Sequence, residues 1–174
     1  TGFNIVDTAE ALVAYQDGTG DDLGADFASV TATTTFTLAQ AAAVSGEIVN
    51  TDESVTGTAL TNEVVIKDSY ANLVNGDASG LTKAAQVIVD GAVNVSKAVQ
   101  IADAYAAQGG QLADMSFDLE ESLTYTIAAF EEDNAVLGAA DSVTVDGVGE
   151  INLYEKGGVN YLLGSADDLS QYPQ

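Results

Sequence analysis

The residues best suited to chemistry in this chain of 174 are the oxygen donors of Asp17-Gly18-Thr19-Gly20-Asp21-Asp22. Carboxylates and a hydroxyl alternate with glycines that let the backbone wrap, which is what a hard cation with all-oxygen ligation requires. The run resembles the first half of a calcium loop, in which the first, third and fifth places supply oxygens. The Glu that closes such a loop at its twelfth place is absent, because that place is Ala28. Asp17, Thr19, Asp21 and Asp22 are therefore the candidate metal ligands and calcium the candidate ion. The competing reading is an acidic connection between a helix and a strand. The groups Glu131-Glu132-Asp133-Asn134 and Asp167-Asp168 read as solvated charge or as a helix first turn.

Other chemistries lack their parts. With no Cys and no His, the chain alone cannot build a thiolate nucleophile, a Ser-His-Asp triad, a zinc finger or a disulfide. A glycosidase needs two carboxyls in different environments facing a cleft with sugar-stacking aromatics, and there is no Trp. Of the tyrosines, Tyr15, Tyr70 and Tyr105 fall on or beside expected helices, while Tyr125, Tyr154 and Tyr161 fall on strand patterns. Most of these read as core or interface. No G-x-x-x-x-G-K-[ST] run occurs to cradle phosphate. The expectation is a protein without catalytic activity.

Charge narrows the partners. Lys and Arg together number 4 against 27 Asp and Glu, for a formal net charge of −23. Nucleic-acid binding rests on cations that release phosphate counterions, and anionic membranes attract basic segments, so both are expected to be repelled. The acids are spread along the chain, as in a solvated acidic shell. The uncharged stretch 27–46 carries Ser29, Thr31, Thr33, Thr34, Thr35, Thr37, Gln40 and Ser45, so it is not read as a membrane span. The lack of cysteine fits an extracellular bacterial product, and Thr1 in place of an initiator Met fits a processed form or an excerpt.

The elements that would position these groups come from internal repetition. Segment 30–44 aligns without gaps on 87–101, placing Phe36 on Val93 and Ala41 on Ala98. Segment 81–91 aligns on 137–147, placing Val89-Asp90-Gly91 on Val145-Asp146-Gly147. A second pattern runs Ile5-Val6-Asp7-Thr8 to Leu12, then Ile66-Lys67-Asp68-Ser69 to Leu73, then more weakly Ser116-Phe117-Asp118-Leu119 to Leu123. Each unit reads as an apolar strand, an Asp capping a short helix that ends near Leu, an acidic connection, a second apolar strand and a second helix.

Asp7 and Asp68 stand where a carboxylate can accept orphan N–H groups at a helix start. The second helix is expected over 38–44 with Thr37 as its cap, and over 96–108 with Ala98, Ile101, Ala102 and Tyr105 as its apolar stripe and Gly109-Gly110 as its stop. Strands are expected at 64–66, 86–89 and 142–145. Val93 and Val95 read as a hairpin partner or a bent continuation after Asp90-Gly91. The third unit departs from the pattern, because residues 150–155 and 159–163 around Lys156-Gly157-Gly158 form a hairpin pattern instead of a second helix.

These two half-motifs, Ile-x-Asp-Thr/Ser to Leu and Val-x-Val-Asp-Gly-x-Val-x-Val-x-x-Ala-x-x-Ile, resemble the repeats of very large bacterial cell-surface and secreted proteins. Surface-layer-like proteins and calcium-dependent haemolysin-type adhesins are among them. The resemblance covers residues 3–147 and implies a structural, surface-exposed role, secretion and often calcium, with no catalytic residues. The glycine-rich nonapeptide that such adhesins use to bind calcium is missing.

The expectation is thus a mixed α/β fold of stacked, solenoid-like strand-helix repeats with a β-rich C-terminal hairpin. The units are 1–61, 62–114 and 115–164, and an acidic tail at 165–174 leaves the core. The expected function is structural: a subunit or segment of a bacterial surface layer, matrix filament or giant adhesin that self-associates outside the cell. The alternative is a calcium-dependent adhesive module recognising a surface glycan or a protein.

Overall fold

The computed structural model describes residues 3–16, 27–43, 49–50, 64–131, 134–156 and 159–163. Helices and strands are interspersed along the chain, and the fold is mixed α/β. The elements are β1 (Phe3–Asp7), α1 (Ala9–Gln16), β2 (Phe27–Ala32), α2 (Leu38–Ala43), β3 (Val49–Asn50), β4 (Val64–Asp68), α3 (Tyr70–Asn75), a 3₁₀ turn (Ala78–Lys83), β5 (Ala84–Val89), α4 (Val95–Ala106), a second 3₁₀ turn (Leu112–Asp114), β6 (Met115–Ser116), β7 (Asp118–Glu121), α5 (Leu123–Glu131), α6 (Ala135–Ala139), β8 (Ser142–Val145), β9 (Gly149–Lys156) and β10 (Val159–Leu163). The sheets run β1-β2-β3, β4-β5-β6 and β10-β9-β8-β7.

Contacts divide the chain into two compact units, one of residues 1–90 and 101–115 and the other of residues 91–100 and 116–174. The boundary passes through α4 and β6.

Three strand pairs are built alike. β1 with β2, β4 with β5, and β7 with β8 are parallel, and a parallel pair cannot be closed by a tight turn. Helical segments lie between the strands of each pair. The same hydrogen bonds recur in all three. The last residue of the first strand, Asp7, Asp68 or Glu121, accepts through its backbone carbonyl from Thr33, Asp90 or Asp146 at 2.8, 2.9 and 3.1 Å. Its side-chain carboxylate accepts from the next backbone N–H, that of Thr8, Ser69 or Ser122, at 2.7, 2.8 and 2.9 Å. The hydroxyl of that next residue caps the helix, accepting from Ala11, Asn72 or Tyr125. The Ser or Thr is therefore the N-cap, and the acid stands one place before it.

A second recurrence follows the second strand. Phe36 makes a parallel bridge to Ile66, and Val93 makes one to Leu119. In the first, Phe36 donates to the Val65 carbonyl at 2.9 Å and accepts from Lys67 at 2.8 Å; in the second, Val93 donates to Asp118 at 3.0 Å and accepts from Glu120 at 2.9 Å. One residue further on, Thr37 and Asn94 cap α2 and α4 through their side chains. Thr37 also donates its backbone N–H to the Gln40 side chain, which completes a reciprocal capping pair. Each helix then buries matched residues, Leu38 with Ala41 and Val95 with Ala98.

The core follows from these contacts. Parallel strands covered on both faces read as continuous apolar runs, and in β4 Val64, Val65 and Ile66 are all buried. The first unit also buries Leu12, Phe36, Leu38, Leu73, Leu81, Val87, Ile101 and Tyr105; the second unit buries Phe117, Leu119, Leu137, Val143, Val145 and Ile151. Gly80 is required in the first unit, because a Cβ there would stand 2.6 Å from the Leu38 carbonyl oxygen.

Three local expectations are corrected. The third copy of the acidic motif is centred on Glu121, three residues beyond Asp118, and its helix begins at Leu123 instead of ending there. Tyr125, on a strand pattern in Leu123-Thr-Tyr-Thr-Ile, lies in α5, because the Ser122 cap commits the segment to helix. Val93 is neither a hairpin partner nor a continued strand but the bridge to Leu119, and Val95 opens α4. The expected C-terminal hairpin is present, with β9 and β10 antiparallel and Tyr154 opposite Tyr161.

Candidate functional site

The predicted metal ligands Asp17, Thr19, Asp21 and Asp22 lie outside the described residues. Among the described residues no group of three or more His, Cys, Asp or Glu side chains is gathered so as to hold a metal ion. The polar centre the structure does build is at Asp68. It ends β4, a strand otherwise buried, and is itself 8% exposed, so its carboxylate must find donors inside the protein.

It finds three. Oδ1 accepts from the Ser69 backbone N–H at 2.8 Å and from Asn72 Nδ2 at 2.7 Å, and Oδ2 accepts from the Leu38 backbone N–H at 2.9 Å. Ser69 opens α3 and Leu38 opens α2, so one carboxylate joins two helix N-termini, where orphan N–H groups and the helix dipole both favour negative charge. The sequence marked Asp68 as a helix partner through its match to Asp7. It carried no signal for the contact with Leu38, whose pairing depends on chain folding back from far away.

Beside this centre is a cleft of about 250 Å³, lined by Thr37, Leu38, Ala39, Asp68, Asn72, Gly76 and Asp77. Asp77 at its rim caps the 3₁₀ turn, and the hydrogen bonds from Ser79 hold its carboxyl below the usual 3.8. At the other end of α2, Lys83 Nζ donates to the Ala41 carbonyl at 2.8 Å; burial draws its amine below 10.5, partly offset by Asp77. Both ends of α2 are thus held by charged side chains with the sign that suits the dipole.

A general acid or base needs a lone pair or proton available to a substrate. Both Asp68 oxygens are occupied by fixed protein donors, and of the other polar groups lining the cleft the Thr37 hydroxyl accepts from the Gln40 backbone N–H and the Asp77 carboxylate from that of Ser79. What the arrangement does is hold α2 and α3 on the end of β4. No described buried side-chain N or O atom lacks a hydrogen-bond partner.

Comparison with protein-family models, with curated proteins and with solved structures finds no match for this chain. No helix among the described residues is long and apolar enough to cross a membrane.

Proposed function

We propose that the chain is an architectural protein: a solenoid-like run of three copies of one strand-helix-strand module, acting by self-association in a bacterial surface layer, matrix filament or large adhesin outside the cell. The observation that carries the reading is the recurrence of one bridge. Phe36 on Ile66 and Val93 on Leu119 join the end of one module to the first strand of the next through the same pair of backbone hydrogen bonds. A module that passes its closing residue to its neighbour depends on that neighbour, which is the physical basis of repeat arrays.

The third module supports the same reading. The place of Phe36 and Val93 is taken there by Gly149, with φ of 95°, and the chain turns back into β9 beside β8. An array needs such an altered end. The strongly acidic composition fits a solvated exterior, and the polar centre at Asp68 is used for structure. Light scattering over a range of protein concentrations tests the proposal. Mass that grows with concentration is expected, and a monomer at every concentration would contradict it.

A further inference from the structure

The internal bridges assign a use to the outer edge of β1. By the correspondence of Asp7 with Asp68 and Glu121, residues Asn4 and Val6 occupy the places of Val65 and Lys67, and of Asp118 and Glu120. In β4 and β7 the carbonyl and N–H of those pairs take the incoming bridges from Phe36 and Val93. Among the described residues β1 pairs only with β2, so the same acceptor and donor meet no strand on that side.

Side-chain character points the same way. The place held by Lys67 in β4 and Glu120 in β7 is Val6 in β1, 63% exposed. A bare edge is usually guarded by charge, and here a β-branched apolar residue stands in a chain of net charge −23. A second edge shares this lack. β10 ends its sheet, pairs only with β9 among the described residues, and its sequence Val159-Asn-Tyr-Leu-Leu163 carries no charged residue.

We propose that β1 of one copy pairs edge to edge with β10 of a second copy. This deepens the self-association reading and rests on it. The edges differ, so the contact is heterologous: each copy that docks through β1 leaves its own β10 open, and growth continues head to tail unless a ring closes. A symmetric β1–β1 contact would leave the uncharged β10 edge unused and would stop at a dimer. The net charge of each copy opposes approach, so assembly is expected to strengthen as salt screens it.

The absence of cysteine makes the test direct. Val6→Cys and Tyr161→Cys are prepared separately and together, and each sample is treated with a short bis-maleimide crosslinker. A ladder of multimers from the double variant, a heterodimer from the mixed single variants and monomer from Val6→Cys alone are expected. A crosslinked dimer from Val6→Cys alone, or no crosslink in any sample that light scattering shows to be assembled, would overturn the pairing while leaving self-association intact.

Val6→Pro removes the outward N–H at an edge where proline is tolerated, and Val6→Thr retains it. With the fold verified by circular dichroism, loss of assembly in the first variant and not in the second is expected. Assembly that persists in Val6→Pro would contradict the proposal. A wild-type chain that stays monomeric at all concentrations and salt levels would remove the self-association reading together with it.

Discussion

Asp68 accepts a hydrogen bond from the backbone N–H of Leu38 at 2.9 Å, across 30 residues of chain. The contact fixes the start of α2 to the end of β4, and the same carboxylate holds the start of α3. Asp68→Ala strands three donors at a nearly buried site, and the expected loss is about 3 kcal/mol, since bonds to charged groups contribute more than neutral ones. Asp68→Asn keeps an acceptor and should lose about half as much. Urea unfolding of both variants checks the order; equal stability of wild type and Asp68→Ala would show that the centre carries no load.

Phe36 is fully buried at the first bridge, where Val93 stands at the second. Phe36→Ala should cost about 4 kcal/mol, in the range of large-to-small core changes. Phe36→Val should cost clearly less, because the second bridge already works with that side chain. Denaturant midpoints of the two variants provide the comparison.

Two glycines separate steric from conformational need. Gly80→Ala would push a Cβ against the Leu38 carbonyl and its side chain, with an expected cost of about 2 kcal/mol from overpacking. Gly91 has φ of 84° and nothing within 4 Å of its added Cβ, so Gly91→Ala should cost only the left-handed strain, about 1 kcal/mol. Thermal melts should rank Gly80→Ala below Gly91→Ala, and the reverse order would contradict the close approach of α2 to the 3₁₀ turn.

Tyr105 and Lys83 give opposite signatures at alkaline pH. Burial, helped by Asp114, raises the Tyr105 phenol above 10.0, and its hydroxyl donates to the Ala84 carbonyl. The unfolded chain loses that proton first, so stability falls as pH climbs from 10.0 through the folded value. Lys83 is drawn below 10.5, so between its folded value and 10.5 the unfolded chain holds the extra proton and stability rises with pH. Tyr105→Phe should abolish the fall and leave the rise. A fall of unchanged size in that variant would assign it to another group.

Much of this arrangement is legible in the sequence. The alignment of Phe36 with Val93, and of Asp90 with Asp146, coincides with the recurring backbone bonds, because apolar spacing around a turn survives when individual residues change. The helix starts at Asp7-Thr8 and Asp68-Ser69 are marked in the sequence by an acid beside Thr or Ser, but the cap is the hydroxyl of Thr8 or Ser69, one residue after the acid to which the pattern assigns it. The third copy was misplaced because Glu replaces Asp at Glu121 while Asp118 nearby imitates the pattern. Taking Asp118 as the acid puts the residues after it in a helix ending near Leu123, whereas 118–121 form β7 and the helix starts after Ser122. Ser122 before Leu123 was the better marker.

What the sequence could not show is long-range. The bridges from Phe36 and Val93 and the bond from Leu38 to Asp68 join segments whose approach depends on other elements folding. No local period encodes them. The predicted ligand run at Asp17 lies outside the described residues.

Electron microscopy of the purified wild-type chain at moderate salt shows self-association by eye. Ordered filaments that disappear in the Val6→Pro variant are expected. A field of single, unassociated particles for the wild type would contradict self-association.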